Sequence, residues 1–127
     1  MTKLLAFTRG ERAPTAEPIV TIQKGGIFSL NEAAVRLLIP IGDPAETRIG
    51  FRFSEDGKIA GLERITREVE SNTYPLRKAG ASRSYLVSGR AFARHLGFDL
   101  NQSRRFRAYL HDPETLGFRL DIDEIPS

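Results

Sequence analysis

The chain is 127 residues long, 40% hydrophobic and 28% charged, with a formal net charge of +3 and no cysteine. That length fits one domain with a real core, the composition lies far from that of a wholly disordered chain, and the missing cysteine excludes disulfides, thiolate metal sites and thiol nucleophiles. No apolar run reaches the length of a membrane span, and Leu4-Leu5-Ala6-Phe7 is too short for a signal-peptide core, so a cytoplasmic protein is expected.

Residues 1–18 mix Gly10, Pro14, Pro18 and charges without an apolar period, which predicts a flexible arm ahead of a single domain over 19–127. Ile19-Val20-Thr21-Ile22 is β-branched and predicts a strand; Lys24-Gly25-Gly26 suits a tight turn, and Ile27-Phe28-Ser29-Leu30 returns. Asn31 is a good helix cap, Glu32 suits the first turn, Ala34, Leu37 and Leu38 make a short apolar stripe, and Pro40 stops it. A loop at 41–46 leads to Ile49, Phe51 and Phe53, which alternate with Arg48, Gly50 and Arg52 as a half-buried strand does. Asp56-Gly57 marks the turn into a strand from Ile59 to Ile65, and a linker is expected at 66–72.

The order then recurs. Tyr74-Pro75-Leu76-Arg77 predicts a short edge strand, 78–82 a turn, and Ser84-Tyr85-Leu86-Val87 a strand. Ser88 is a candidate cap for a helix with Ala91, Phe92, His95 and Leu96 on one face, ended by Gly97. Phe106, Ala108 and Leu110 alternate with Arg105, Arg107 and Tyr109; a turn at 111–115 precedes Leu116, Phe118, Leu120 and Ile122. Two strand–strand–helix–strand–strand units therefore follow one another at a period of about 57 residues, over 19–65 and 73–122, with an acidic tail at 123–127. One such unit buries too little apolar surface to stand alone, whereas two interlocked units can close a barrel and remove open sheet edges. The fold class expected is mainly β with two short helices, an α+β chain.

The stretch from Val20 to Asn31, with Lys24-Gly25-Gly26 at its centre and Ala34 and Leu38 beyond it, resembles the AbrB/SpoVT family. Gly42-Asp43 stands where that family has its Gly-Asp, and Asp56-Gly57 lies in what looks like its closing hairpin. In the second unit Val87-Ser88-Gly89-Arg90-Ala91-Phe92 and Leu96-Gly97-Phe98 are similar to the family's helix and its ending. The tandem form is similar to MraZ proteins. The chain departs from the family in having Asn31 and Gly89 where a Pro usually starts the helix. The resemblance implies a swapped-hairpin β-barrel, oligomers, and DNA-binding transcription regulation or an antitoxin role.

The charge distribution bears on partners. Between residues 71 and 110 lie Arg77, Lys78, Arg83, Arg90, Arg94, Arg104, Arg105 and Arg107 against the single acid Asp99. The following stretch carries Arg119 against Asp112, Glu114, Asp121, Asp123 and Glu124. A basic block fits a polyanion; it equally fits a solvated face balanced by the tail. The resemblance puts DNA contacts at Lys24 in the first unit and at Arg77, Lys78 and Arg83 in the second. Strand alternation exposes Arg48, Arg52, Arg105 and Arg107, whose planar guanidinium forks suit phosphate and guanine.

Catalysis finds little material. His95 shares its helical face with Phe92 and Leu96, which reads as a partly buried histidine, and His111 has no nucleophile near it in sequence. Glu55-Asp56 and Asp121, Asp123, Glu124 lack the spacing of a calcium loop, and no phosphate-cradling Gly-x-x-x-x-Gly-Lys occurs. The expectation is a non-enzyme without cofactor or metal: a regulator using a basic face on duplex DNA, or alternatively a protein-interaction or oligomerisation module, antitoxin-like or an adaptor, that binds no nucleic acid.

Overall fold

The computed structural model of the protein describes residues 17–65 and 72–126, so the arm before residue 17 and the linker at 66–71 lie outside the described residues. Strands β1 (Ile19–Ile22) and β2 (Ile27–Leu30) form an antiparallel hairpin. Alternation works as the sequence requires: Val20, Ile22, Phe28 and Leu30 are buried, and Ile19, Thr21, Ile27 and Ser29 face the other side. Helix α1 (Glu32–Leu38) starts at Asn31, whose Oδ1 accepts from the backbone N–H of Ala34 at 2.9 Å and of Ile19 at 3.0 Å. The same side chain donates to the Glu17 carbonyl at 2.9 Å, so one residue ties the helix start to the beginning of β1.

A 3-10 turn at Pro44–Glu46 leads to β3 (Arg48–Phe53), which forms a hairpin with β4 (Ile59–Ile65). The second half supplies β5 (Tyr74–Pro75), β6 (Arg77–Lys78), β7 (Tyr85–Ser88), α2 (Arg90–His95), β8 (Arg104–Arg107), β9 (Tyr109–Asp112) and β10 (Thr115–Arg119). Among the described residues the strands make two five-stranded antiparallel sheets, β6-β7-β2-β1-β8 and β5-β3-β4-β10-β9. The protein is thus mainly β with two short helices, and neither sheet closes on itself.

Both sheets mix strands from the two halves, with the β1–β2 and β3–β4 hairpins each flanked on both sides by strands of the second half. β2 pairs with β7, β1 with β8, β3 with β5 and β4 with β10. A single residue, Leu76, separates β5 from β6, and a single residue, Ala108, separates β8 from β9; both are buried. The chain therefore passes from one sheet to the other at these two points. Between the sheets lie Phe28, Leu30, Ile49, Leu62, Val87, Phe106, Leu116 and Phe118, with Leu38 of α1 and Ala93 of α2 completing the core. Phe28 and Phe51 lie 5.1 Å apart, Phe51 stacks on Phe92 at 4.8 Å, and Phe106 on Phe118 at 4.8 Å. Such ring pairs add to what area burial alone contributes.

Several local expectations need correction. The expected continuous strand over Phe106, Ala108 and Leu110 bends at Ala108, and Leu110 is exposed because β9 is a sheet edge. Phe53 and Ile122 are exposed too; Ile122 follows the end of β10 rather than continuing it. Ser88 belongs to β7, and Gly89 takes the cap position of α2 without a side-chain bond. A Cβ on Gly89 would lie 2.6 Å from the Phe28 ring, so close packing explains the glycine. The buried residue of α2 is Ala93, whereas Ala91 and His95 are exposed, His95 resting 4.6 Å from the Phe53 ring. Order also begins before Ile19: the Pro18 carbonyl accepts from Ala108 N–H at 3.0 Å. No helix among the described residues is long and apolar enough to cross a membrane.

Candidate nucleic-acid interface

The first sheet turns one face to the core and one outward. Directly paired residues share a face, and the register strings Arg77, Leu86, Ser29, Thr21 and Arg105 into one row across all five strands. At about 4.8 Å per strand the row is about 19 Å long, with a guanidinium at each end. Its middle is small or neutral, so no carboxylate stands between the two arginines along the row. Arg107 lies one pleat further along β8, on the same face as Arg105.

At the end of this sheet the β1–β2 turn rests on α2. Gly25 and Gly26 have φ of 84° and 90°, a region that favours glycine. A Cβ on Gly26 would lie 2.6 Å from Arg90 Cα, and the Gly26 carbonyl accepts from Gly89 N–H at 3.0 Å. The Arg90 guanidinium donates to the Gly25 carbonyl at 3.4 Å. Gly25 N–H donates to the Leu100 carbonyl at 2.8 Å, which brings the 97–103 loop beside the turn. Lys24, Arg90 and Arg94 are exposed here, and Arg94 is one helical turn from Arg90 on the same side of α2. The acid of the neighbouring loop, Asp99, accepts from Asn101 N–H at 2.9 Å instead of pairing with an arginine.

The β6–β7 turn makes the corresponding approach to α1, with a different electrostatic result. Glu32 Oε2 pairs with Arg36 at 2.7 Å and with Arg83 at 3.2 Å. These groups rim a cleft with Tyr85, Lys78 and Pro44.

Ion pairs occupy part of the cationic set elsewhere. Arg52 pairs with Glu63 at 2.8 Å and Arg107 with Glu17 at 2.8 Å. Arg104 clamps Glu124 through two bonds of 2.9 and 2.7 Å. Each partner's hydrogen bond to the other dominates its shift: the Glu124 carboxyl is held below the ordinary glutamate range and Arg104 is raised. Arg119 and Asp121 show the same pattern at the surface, Asp121 lowered and Arg119 raised by their mutual bond. The tail around Glu124 also bonds along the free edge of β8, with Arg107 N–H donating to the Asp123 carbonyl at 2.9 Å and Ile125 N–H to the Arg105 carbonyl at 2.8 Å.

Of the eight residues singled out from the sequence, Arg77, Arg105 and Arg107 share the outer face of the first sheet, and Lys24, Lys78 and Arg83 lie at its ends and turns. Arg48 and Arg52 belong to the other sheet; Arg48 donates to Thr73 Oγ1 and to its carbonyl, both at 2.7 Å. The eight therefore do not form one surface. The sequence puts Arg90 and Arg94 in the basic block without placing them at a site; that they stand beside the Gly25-Gly26 turn is visible only once α2 meets the first hairpin. Glu32 suits a helix start in the sequence; its pair with Arg36 is local, and its pair with Arg83 comes from the packing.

The outer face of the second sheet holds a shallow cleft lined by Arg52, Phe53, Ser54, His111 and Thr115 over paired Gly61 and Gly117. Among the described residues no cluster of three histidine, aspartate or glutamate side chains is arranged to hold a metal ion. Compared with protein-family models, with curated proteins and with solved structures, the chain has no match in any of the three.

Proposed function

We propose that the chain is a DNA-binding protein of the transcription-regulator type, built as a pseudo-twofold swapped-hairpin barrel in the manner of the AbrB/SpoVT family and its tandem MraZ-like form. Support for the barrel comes from the pairing pattern. With β5–β6 taken as one strand kinked at Leu76 and β8–β9 as one kinked at Ala108, exchange of the two halves maps each pairing onto another. The β1–β2 pair answers β6–β7, β3–β4 answers β9–β10, β1–β8 answers β5–β3, and β2–β7 and β4–β10 join equivalent strands. Counted in this way, each of the eight strands is paired on both sides along part of its length, which relieves some of the exposure of hairpin faces and edges that each half alone would suffer.

The observation that carries the nucleic-acid part is the outward row ending in Arg77 and Arg105, with Lys24, Arg90 and Arg94 at its flank. Among the described residues none of these five has a carboxylate partner. A row about 19 Å long can reach both walls of a major groove about 12 Å wide. If all five cations meet phosphates, affinity falls about five-hundredfold between 50 and 200 mM salt, at a slope of about 0.9 per contact. Retention of a 20-base-pair duplex on the full chain at these two concentrations tests the reading; no retention at 50 mM overturns it.

A second reading, an adaptor or oligomerisation module without nucleic acid, is favoured by one observation. Of the expected contacts, Arg52, Arg83 and Arg107 are already paired to carboxylates, and exposed Phe53, Tyr109 and Leu110 lie on the second sheet.

A further inference from the structure

We infer that the two ends of the cationic surface are unequal by construction, with Glu32 closing one of them to polyanions. The inference deepens the DNA-binding reading and rests on it. It assigns the contact with the phosphate backbone to the end formed by the β1–β2 turn and α2. It assigns to Glu32 the role of a specificity-determining carboxylate that withholds the other end.

The two ends are built alike. At each, a hairpin turn carrying a lysine or arginine lies against a short helix from the opposite half of the chain. At the α2 end, Lys24, Arg90 and Arg94 present three cations, and the one side-chain acid of the adjoining loop, Asp99, is turned onto Asn101 N–H. At the α1 end, Arg36, Arg83 and Lys78 are the matching cations, but Glu32 sits between the first two at 2.7 and 3.2 Å.

The charge difference has a physical consequence. An arginine engaged with a carboxylate neutralises less of a phosphate's charge, so it displaces fewer of the counterions condensed on the DNA, and a phosphate approaching it must displace or face that carboxylate. Both effects reduce what the arginine contributes to counterion release. Arg36 and Arg83 are highly exposed, with side chains 74% and 77% accessible, so they are not held for the sake of the core. A surface pair of this kind contributes little to stability. Its measurable effect is on the field at that end of the molecule, where one anion lies against three cations, while the opposite end keeps its three cations without a paired anion.

The test is the salt dependence of binding to a 20-base-pair duplex for the full chain and three variants. Lys24→Gln with Arg94→Gln removes two contacts at the open end. Arg36→Gln with Arg83→Gln removes the two paired arginines, and Glu32→Gln releases them. All these side chains are exposed or partly exposed, and circular dichroism confirms each variant is folded before it is compared. The first pair is expected to reduce the slope of log affinity on log salt by about 1.8, whereas the second leaves it within about 0.5 of the parent. Glu32→Gln is expected to steepen the slope by up to about 1.8, raising affinity at 50 mM severalfold. Equal losses for the two double variants, or an unchanged slope for Glu32→Gln, overturn the role of Glu32 while leaving DNA binding intact. Failure of the parent chain to bind at 50 mM instead removes the DNA-binding reading, and this inference with it.

Discussion

Gly25 and Gly26 are adjacent, both take positive φ, and they should respond very differently to alanine. At Gly25 the φ is 84° and a new Cβ meets nothing within 4 Å. At Gly26 the φ is 90°, and the same Cβ would be 2.6 Å from Arg90 Cα and 3.2 Å from Arg90 N. Left-handed backbone costs a non-glycine residue about 1–2 kcal/mol, and both variants incur that term. Only Gly26→Ala adds overpacking against a backbone that cannot rotate away, at about 1–3 kcal/mol. The two strain terms cancel in the comparison, so Gly26→Ala should be less stable than Gly25→Ala by about 1–3 kcal/mol. With m of about 2 kcal/mol/M, their urea midpoints should differ by about 0.5–1.5 M. Equal midpoints, or a lower one for Gly25→Ala, would refute the claim that the first hairpin is seated on α2.

Asn31→Ala should cost about 1–3 kcal/mol, since it uncaps α1 at Ala34 and leaves Ile19 N–H without its partner; thermal and urea unfolding measure this. Asn31→Asp should retain the two accepted bonds and lose only the one donated to Glu17, so it should be closer to the parent. The Glu124 carboxyl, lowered by its bond to Arg104, contributes stability above the ordinary glutamate range and loses it as pH falls through the lowered value. The stability lost in Glu124→Gln should therefore be under about 1 kcal/mol at pH 7 and shrink towards pH 3. A penalty that stays constant from pH 7 to 3 would show that the ion pair does not set it. Asp56, Asp112 and Asp121 are lowered as well, so the variant should still lose stability in acid.

Much of the local structure was legible because short-range physics decides it. The period-two burial of Val20, Ile22, Phe28 and Leu30, the Gly25-Gly26 and Asp56-Gly57 turns, and the Asn31 cap each depend on a few neighbouring residues. The basic residues of the first sheet's outer face were legible for the same reason, since alternation around Phe106 exposes Arg105 and Arg107. Leu110 and Phe53 misled, because an apolar residue at period two signals burial only when another layer covers its face, and at a sheet edge or strand end nothing does.

Pattern and turn chemistry, then, settle which segments are strands and helices and which side chains of a central strand face inward, because those preferences act within a few residues. They do not settle which carboxylate meets which arginine. Glu32 with Arg83 and Arg104 with Glu124 join positions 51 and 20 residues apart. Charge attraction in water is too weak and too indifferent to sequence distance to choose such partners in advance. The choice falls to the packing of one half's turn on the other half's helix, which decides both the free cations at the α2 end and the neutralised ones at α1.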